Sequence, residues 1–92
     1  MPAFSAEEAQ SHLGKLKDWQ IEAGQLVKTF QFHHFRESLA FVNKVGELAE
    51  AVGHHPDIDI RYSRVRLSLS THDAGGITAK DFDLAARADK LA

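Results

Sequence analysis

The sequence predicts an α+β fold, a four-stranded antiparallel sheet with helices packed on one face, in the order α-β-β-α-β-β-α. Three observations predict it. Val65, Leu67 and Leu69 alternate with Arg64, Arg66, Ser68 and Ser70, the period of a strand with one wet face. Just upstream, Ile58 and Ile60 alternate with Asp57, Asp59 and Arg61, so the two runs read as a hairpin. Amphipathic helical patterns flank the strand pairs, and an apolar helix stripe needs a sheet or another helix to cover it.

Each element has its own signal. Ser5 and Glu8 form a capping box, after which Ala6, Ala9, Leu13 and Leu16 recur at helical spacing. Trp19-Gln20-Ile21, the turn residues Ala23-Gly24, and the run from Leu26 to Phe32 read as a first hairpin, although Lys28 breaks its alternation. A second helix should begin near Phe35. Its Leu39, Val42, Ala49 and Val52 share one face, which Phe41, Val45 and Leu48 widen until it needs both a sheet and a second helix or subunit as cover. Gly53 sits where a left-handed residue ends a helix, and Pro56 prevents its resumption.

If these strands pair through a tight loop at Tyr62-Ser63, Ile60 faces Val65 and Ile58 faces Leu67, with every apolar side chain on one face; a longer loop would slide the pairing while able to keep its parity. Tyr-Ser is not the Asn-Gly that such loops favour. Continued, that register places His54 opposite Thr71 and next to His72. The last helix opens with the N-cap pattern Thr78-x-x-Asp81 and runs through Phe82, Ala85, Ala86 and Leu91.

Ninety-two residues make one domain, 1–92, with a modest core. Net charge is −2 with the signs interspersed, so no basic stripe neutralises phosphates and direct nucleic-acid binding is not expected. No apolar run reaches the roughly 20 residues of a membrane span. Met1-Pro2-Ala3-Phe4-Ser5 lacks the charged and apolar regions of a signal peptide, so a cytoplasmic location is expected. With no cysteine, disulfides, iron–sulfur clusters and thiolate chemistry are excluded.

What remains for chemistry is histidine. His54, His55 and His72 gather around the second hairpin. An imidazole, with an unperturbed pKa of roughly 6.5, exchanges protons at physiological pH. Spacing alone supports equally a set of surface or capping histidines. A three-histidine zinc site is a further alternative, weakened because adjacent histidines rarely point at one ion. Glu50 precedes His54 by one helical turn, a spacing that can orient or charge-stabilise that imidazole. Asp81 is expected to complete a helix N-terminus and, secondarily, to support the site. His33-His34 reads as solvated sequence before a helix, Trp19 as a core or interface residue, and Arg64 and Arg66 as a solvent-facing or intersubunit face.

These residues carry a resemblance. Ala49-Glu50-x3-His54-His55-Pro56, Tyr62-x2-Val65, Leu69-Ser70-Thr71-His72 and Gly76-Ile77-Thr78-x2-Asp81-x2-Leu84-Ala85 together resemble the pterin-4a-carbinolamine dehydratase family, and the likeness spans nearly the whole chain. His-His-Pro alone would be weak; the spaced set is specific. His33-His34 has no counterpart in the motif, and Ala74-Gly75 falls where the family varies more.

The resemblance implies a subunit that assembles into a homodimer or homotetramer. It implies dehydration of 4a-hydroxytetrahydrobiopterin to quinonoid dihydrobiopterin, the step that recycles the pterin after aromatic amino-acid hydroxylases. It further implies that His54, His55 and His72 are catalytic and that His54, His55, Pro56, Thr71, His72, Asp73 and Ala74 contact the pterin. His54 is then the principal acid–base group, with His55 and His72 binding and polarising the pterin or serving the opposite hydroxyl stereoisomer. No cofactor and no metal is expected, the pterin being the substrate. Loss of water from a carbinolamine needs a proton on the hydroxyl and removal of one from N5, each transfer contributing roughly 10²–10⁴-fold. The substrate also dehydrates unaided, so a modest catalyst suffices. The rival reading is a dimerisation or assembly module, coactivator-like or chaperone-like, that keeps this fold and binds a protein partner.

Overall fold

The structure, a computed structural model, describes residues 2–92. The elements follow the expected order: helix α1 (Ala6–Leu13), strands β1 (Gln20–Glu22) and β2 (Gln25–Gln31), helix α2 (Phe35–Val52), strands β3 (Asp57–Arg61) and β4 (Arg64–Leu69), and helix α3 (Ala79–Asp89). A short 3₁₀ turn, His72–Ala74, interrupts the path from β4 to α3. The strands form one antiparallel sheet in the order β1-β2-β4-β3, so the second hairpin is docked onto β2 through β4.

The turn chemistry accounts for the strand ends. Ala23 (φ 51°) and Gly24 (φ 75°) both lie in the left-handed region, as the two-residue turn matching strand twist requires. Between β3 and β4 the loop is Tyr62-Ser63, with Ile60 opposite Val65 and Ile58 opposite Leu67, the register that parity demanded. Tyr62 adopts φ 53°, a conformation bulky residues rarely take.

One face of the sheet carries Leu26, Phe30, Val65, Leu67 and Leu69, and all three helices pack against it. From α2 come Phe41 and Val45, from α3 Phe82, Leu84, Ala85 and Ala88, and from the α1 region the half-buried Leu13 and Leu16. Trp19 belongs to this core: it meets the Phe30 ring edge-on at 5.9 Å, and its indole N–H donates to Asp89 at 3.0 Å.

Lys28 stands in register with Leu67 on the same covered face. Its aliphatic stem lies within the core while the ammonium reaches Asp89 at 2.8 Å and the Lys17 carbonyl at 3.2 Å. The break in alternation is therefore a tethered lysine, and not a break in the strand. Arg64 and Arg66 lie on the opposite, open face, where Arg66 reaches Glu22 at 3.2 Å.

The apolar surface of α2 divides in two. Ser38, Phe41, Val45 and Ala49 face the core, whereas Phe35, Leu39 and Val52 remain 40–43% exposed. Leu39 and Val52, expected on one face with Ala49, thus lie outside the core stripe. Among the described residues no helix is long and apolar enough to cross a membrane.

Candidate active site

The end of α2 shapes the site. Gly53 takes φ 69°, and the N–H groups of Gly53 and His54 both donate to the Ala49 carbonyl, which closes the helix. His54 has therefore left the helical path, so the one-turn spacing from Glu50 does not bring the two side chains together. Glu50 contacts His55 Nε2 instead, a correction to its expected role beside His54. Both members of that pair are largely exposed.

His54 turns inward, its side chain 14% exposed, and meets Asp81 Oδ1 through Nε2 at 2.6 Å. Asp81 is fully buried at the third position of α3, where Thr78 is the N-cap. Its other oxygen, Oδ2, accepts from the Thr78 backbone N–H at 2.9 Å and from the Thr71 hydroxyl at 2.9 Å. The Thr71 and Thr78 hydroxyls lie 2.8 Å apart. Asp81 thus caps the helix and partners His54 at once, joining the two roles that its sequence position left separate. A negative carboxylate suits this place, because the first turn of a helix presents unpaired N–H groups and the positive end of its dipole.

The 3₁₀ turn supplies the opposite wall. An isolated antiparallel bridge between Thr71 and Gly76 pins its base, with the Thr71 N–H donating to the Gly76 carbonyl at 2.8 Å. Gly75 closes the turn at φ 74°, where a side chain would be strained. His72 and Asp73 consequently project from a fixed loop and are exposed.

These pieces border an open cavity of about 250 Å³ lined by His54, His55, Thr71, His72, Asp73 and Lys80 among others. Of the sequence-predicted residues, the cavity gathers His54, His55, Thr71, His72 and Asp73. Pro56 and Ala74 are half-buried and do not line it, and Glu50 reaches it through His55. Lys80 and the Thr78 hydroxyl escaped the sequence reading, although the N-cap pattern locates both beside Asp81. A larger depression of about 590 Å³ lies on the open sheet face around Arg61, Tyr62 and Arg64. It contains no histidine, so the smaller cavity, where proton-exchanging groups converge, is the candidate site.

Elsewhere, His33 is exposed, and its backbone N–H donates to Glu37 Oε1 at 2.8 Å, consistent with solvated sequence entering α2. Among the described residues no three His, Asp or Glu side chains are placed to hold a metal ion.

Comparison with known proteins points to one family. The family model for pterin 4 alpha carbinolamine dehydratase matches residues 2–91. A protein of Chloroflexus aurantiacus, provisionally named pterin-4-alpha-carbinolamine dehydratase, is 54% identical over 91 residues, covering 99% of this chain and 98% of its own. A relative with the same provisional name from Roseiflexus castenholzii is 56% identical over 84 residues, 91% of this chain and 90% of its own. Among solved structures, a transcriptional coactivator/pterin dehydratase from Brucella melitensis superposes with a TM-score of 0.94 at 27% identity, covering 98% of both chains. A pterin dehydratase-like protein identified as a RuBisCO assembly factor of the alpha-carboxysome gives 0.66 at 28% identity, over 79% of this chain and 84% of that one.

Proposed function

The chain belongs to the pterin 4 alpha carbinolamine dehydratase family, and we propose that it converts 4a-hydroxytetrahydrobiopterin to quinonoid dihydrobiopterin and water by histidine general acid–base catalysis. The observation that carries this reading is the approach of His54 to buried Asp81 at 2.6 Å on the wall of a cavity that His55 and His72 also line. A carboxylate behind an imidazole orients the ring and stabilises the imidazolium that forms when it takes a proton.

The reaction follows from those groups. The C4a–O bond breaks with its electron pair leaving on oxygen, which is protonated and departs as water. The N5 lone pair forms the N5=C4a double bond, and the N5 proton passes to a base. One proton is delivered and one removed, with no change in oxidation state, so the pterin is the substrate and no cofactor is needed. His54 exchanges the proton at the reacting edge. His55, held by Glu50, and His72, on the 3₁₀ turn, bind the pterin and serve the hydroxyl on either ring face. Lys80 and Asp73 supply a cation and an anion at the rim for the polar pterin edge.

The exposed Phe35 and Leu39, one turn apart at the start of α2 beside the exposed Tyr62, support assembly into a homodimer or homotetramer, since an apolar patch on a small domain calls for cover. The same patch favours a second, protein-binding role of the kind named for the Brucella and carboxysome relatives. Stopped-flow absorbance of 4a-hydroxytetrahydropterin decay tests the enzymatic reading. The observed rate constant should rise linearly with protein concentration, and a rate equal to the spontaneous one would leave only the protein-binding role.

A further inference from the structure

The hydrogen bonds behind His54 run in one direction. Thr71 Oγ1 lies 2.9 Å from Asp81 Oδ2 and 2.8 Å from Thr78 Oγ1, and it has one proton to give. An ionised carboxylate only accepts, so that proton points to Asp81. Thr71 Oγ1 must then accept from Thr78, whose hydroxyl proton is committed to it. Thr78 Oγ1 is free to accept from the Lys80 backbone N–H at 3.2 Å. Every donor in the chain is thereby oriented toward Asp81, whose Oδ2 accepts two of them. The remaining carboxylate oxygen, Oδ1, takes the proton of His54 Nε2.

We infer that the Thr78–Thr71–Asp81 chain fixes the tautomer of His54 with its proton on Nε2, leaving Nδ1 as the atom that exchanges protons with the substrate. Thr71 and Thr78 are then positioning residues acting through Asp81. The Thr71 hydroxyl, expected to contact the pterin, is buried and committed to Asp81 and Thr78. Among the described residues His54 Nδ1 has no protein hydrogen-bond partner, consistent with a nitrogen kept for the ligand. In the neutral ring Nδ1 accepts the N5 proton; in the imidazolium it delivers one to the departing hydroxyl. No proton need cross the Asp81 carboxylate.

The inference rests on the dehydratase reading for its catalytic consequence, but the tautomer can be measured without activity. Long-range ¹H–¹⁵N correlation spectra of ¹⁵N-histidine-labelled, ligand-free protein distinguish the two tautomers, and His54 is assigned by the resonances missing in His54→Gln. The wild type should show His54 protonated on Nε2 with Nδ1 bare. Thr71→Val should yield a tautomer mixture and lower kcat about tenfold, the rate equivalent of one buried hydrogen bond, with KM unchanged. Thr71→Ser should restore both. A wild-type His54 protonated on Nδ1 overturns the inference whether or not the variants fold. So does a folded Thr71→Val with wild-type tautomer and kcat. A Thr71-dependent Nε2 tautomer in a protein without dehydratase activity would uphold the relay while removing the dehydratase reading.

Discussion

His54 and Asp81 lie 27 positions apart in the chain and 2.6 Å apart in the structure, joining the loop after α2 to the first turn of α3. The contact fuses a folding device to a functional one. Asp81 completes the N-terminus of a core-packed helix, so the carboxylate behind His54 is held by the packing of Phe82, Leu84 and Ala85. A fixed partner of this kind cuts the reorganisation that a proton transfer would otherwise require.

That fusion predicts a large stability effect. Asp81→Ala leaves the Thr78 N–H and the Thr71 hydroxyl without their acceptor in a buried setting. Unfolding free energy should fall by about 3 kcal/mol, the range for breaking a buried charged partnership. Urea denaturation followed by Trp19 fluorescence measures it; a loss below about 1 kcal/mol would contradict the network.

Glu50 should behave in the opposite way. It and His55 are 76% and 60% exposed, so their pairing contributes about 0–1 kcal/mol to folding. Glu50→Ala should leave the urea midpoint nearly unchanged and act mainly on KM through a loosened His55. Steady-state assay and denaturation of one preparation separate the two.

Lys28 and Asp89 predict an asymmetry. Lys28→Met replaces a tethered amine with a side chain of similar length and should stay within about 1 kcal/mol of the wild type. Asp89→Ala strips acceptors from both the Lys28 ammonium and the Trp19 indole and should cost about 2 kcal/mol. Equal losses in the two variants would show that the ion pair, and not the unpaired donors, sets the cost.

Two carboxyls link stability to pH. The Ser5 backbone N–H and hydroxyl hold Glu8 below the ordinary carboxylate value of 4.5, and the His33 backbone N–H does the same for Glu37. A group whose pKa is lowered on folding stabilises the fold above its unfolded pKa, and the benefit disappears as pH falls through its folded value. The melting temperature of Glu8→Gln/Glu37→Gln should therefore lie below the wild type at neutral pH, and the gap should close below pH 4.5. A gap of constant size across the acid limb would exclude this linkage.

The patch at the start of α2 predicts a change of assembly without a change of fold. Leu39→Glu places a charge beside Phe35 and Tyr62, with Leu39 itself already 40% exposed. Light scattering should report a smaller species while circular dichroism stays the same. An unaltered mass would place the assembly surface elsewhere.

Local pattern made most of the scaffold legible. The β3–β4 register followed from parity, because a slip by one residue would turn Ile58 and Ile60 to the face opposite Val65 and Leu67. The caps at Ser5 and Thr78 follow from short-range hydrogen bonding and were equally readable. The partner of His54 was not. Helical spacing pointed to Glu50, but spacing holds only while the helix continues, and Gly53 ends it one residue before His54. The contact with Asp81 depends on how α3 docks against the sheet, which no local period encodes. Lys28 similarly violated its strand pattern because its long side chain satisfies the core with methylenes and Asp89 with its tip.

The most direct test compares wild type with His54→Ala in stopped-flow decay of 4a-hydroxytetrahydropterin, both in excess chelator. The wild type should accelerate decay, and the variant should lose roughly 10²–10⁴-fold of that acceleration, the contribution of a positioned acid–base group. A folded His54→Ala that matches the wild-type rate would show that His54, backed by Asp81, does not move the proton.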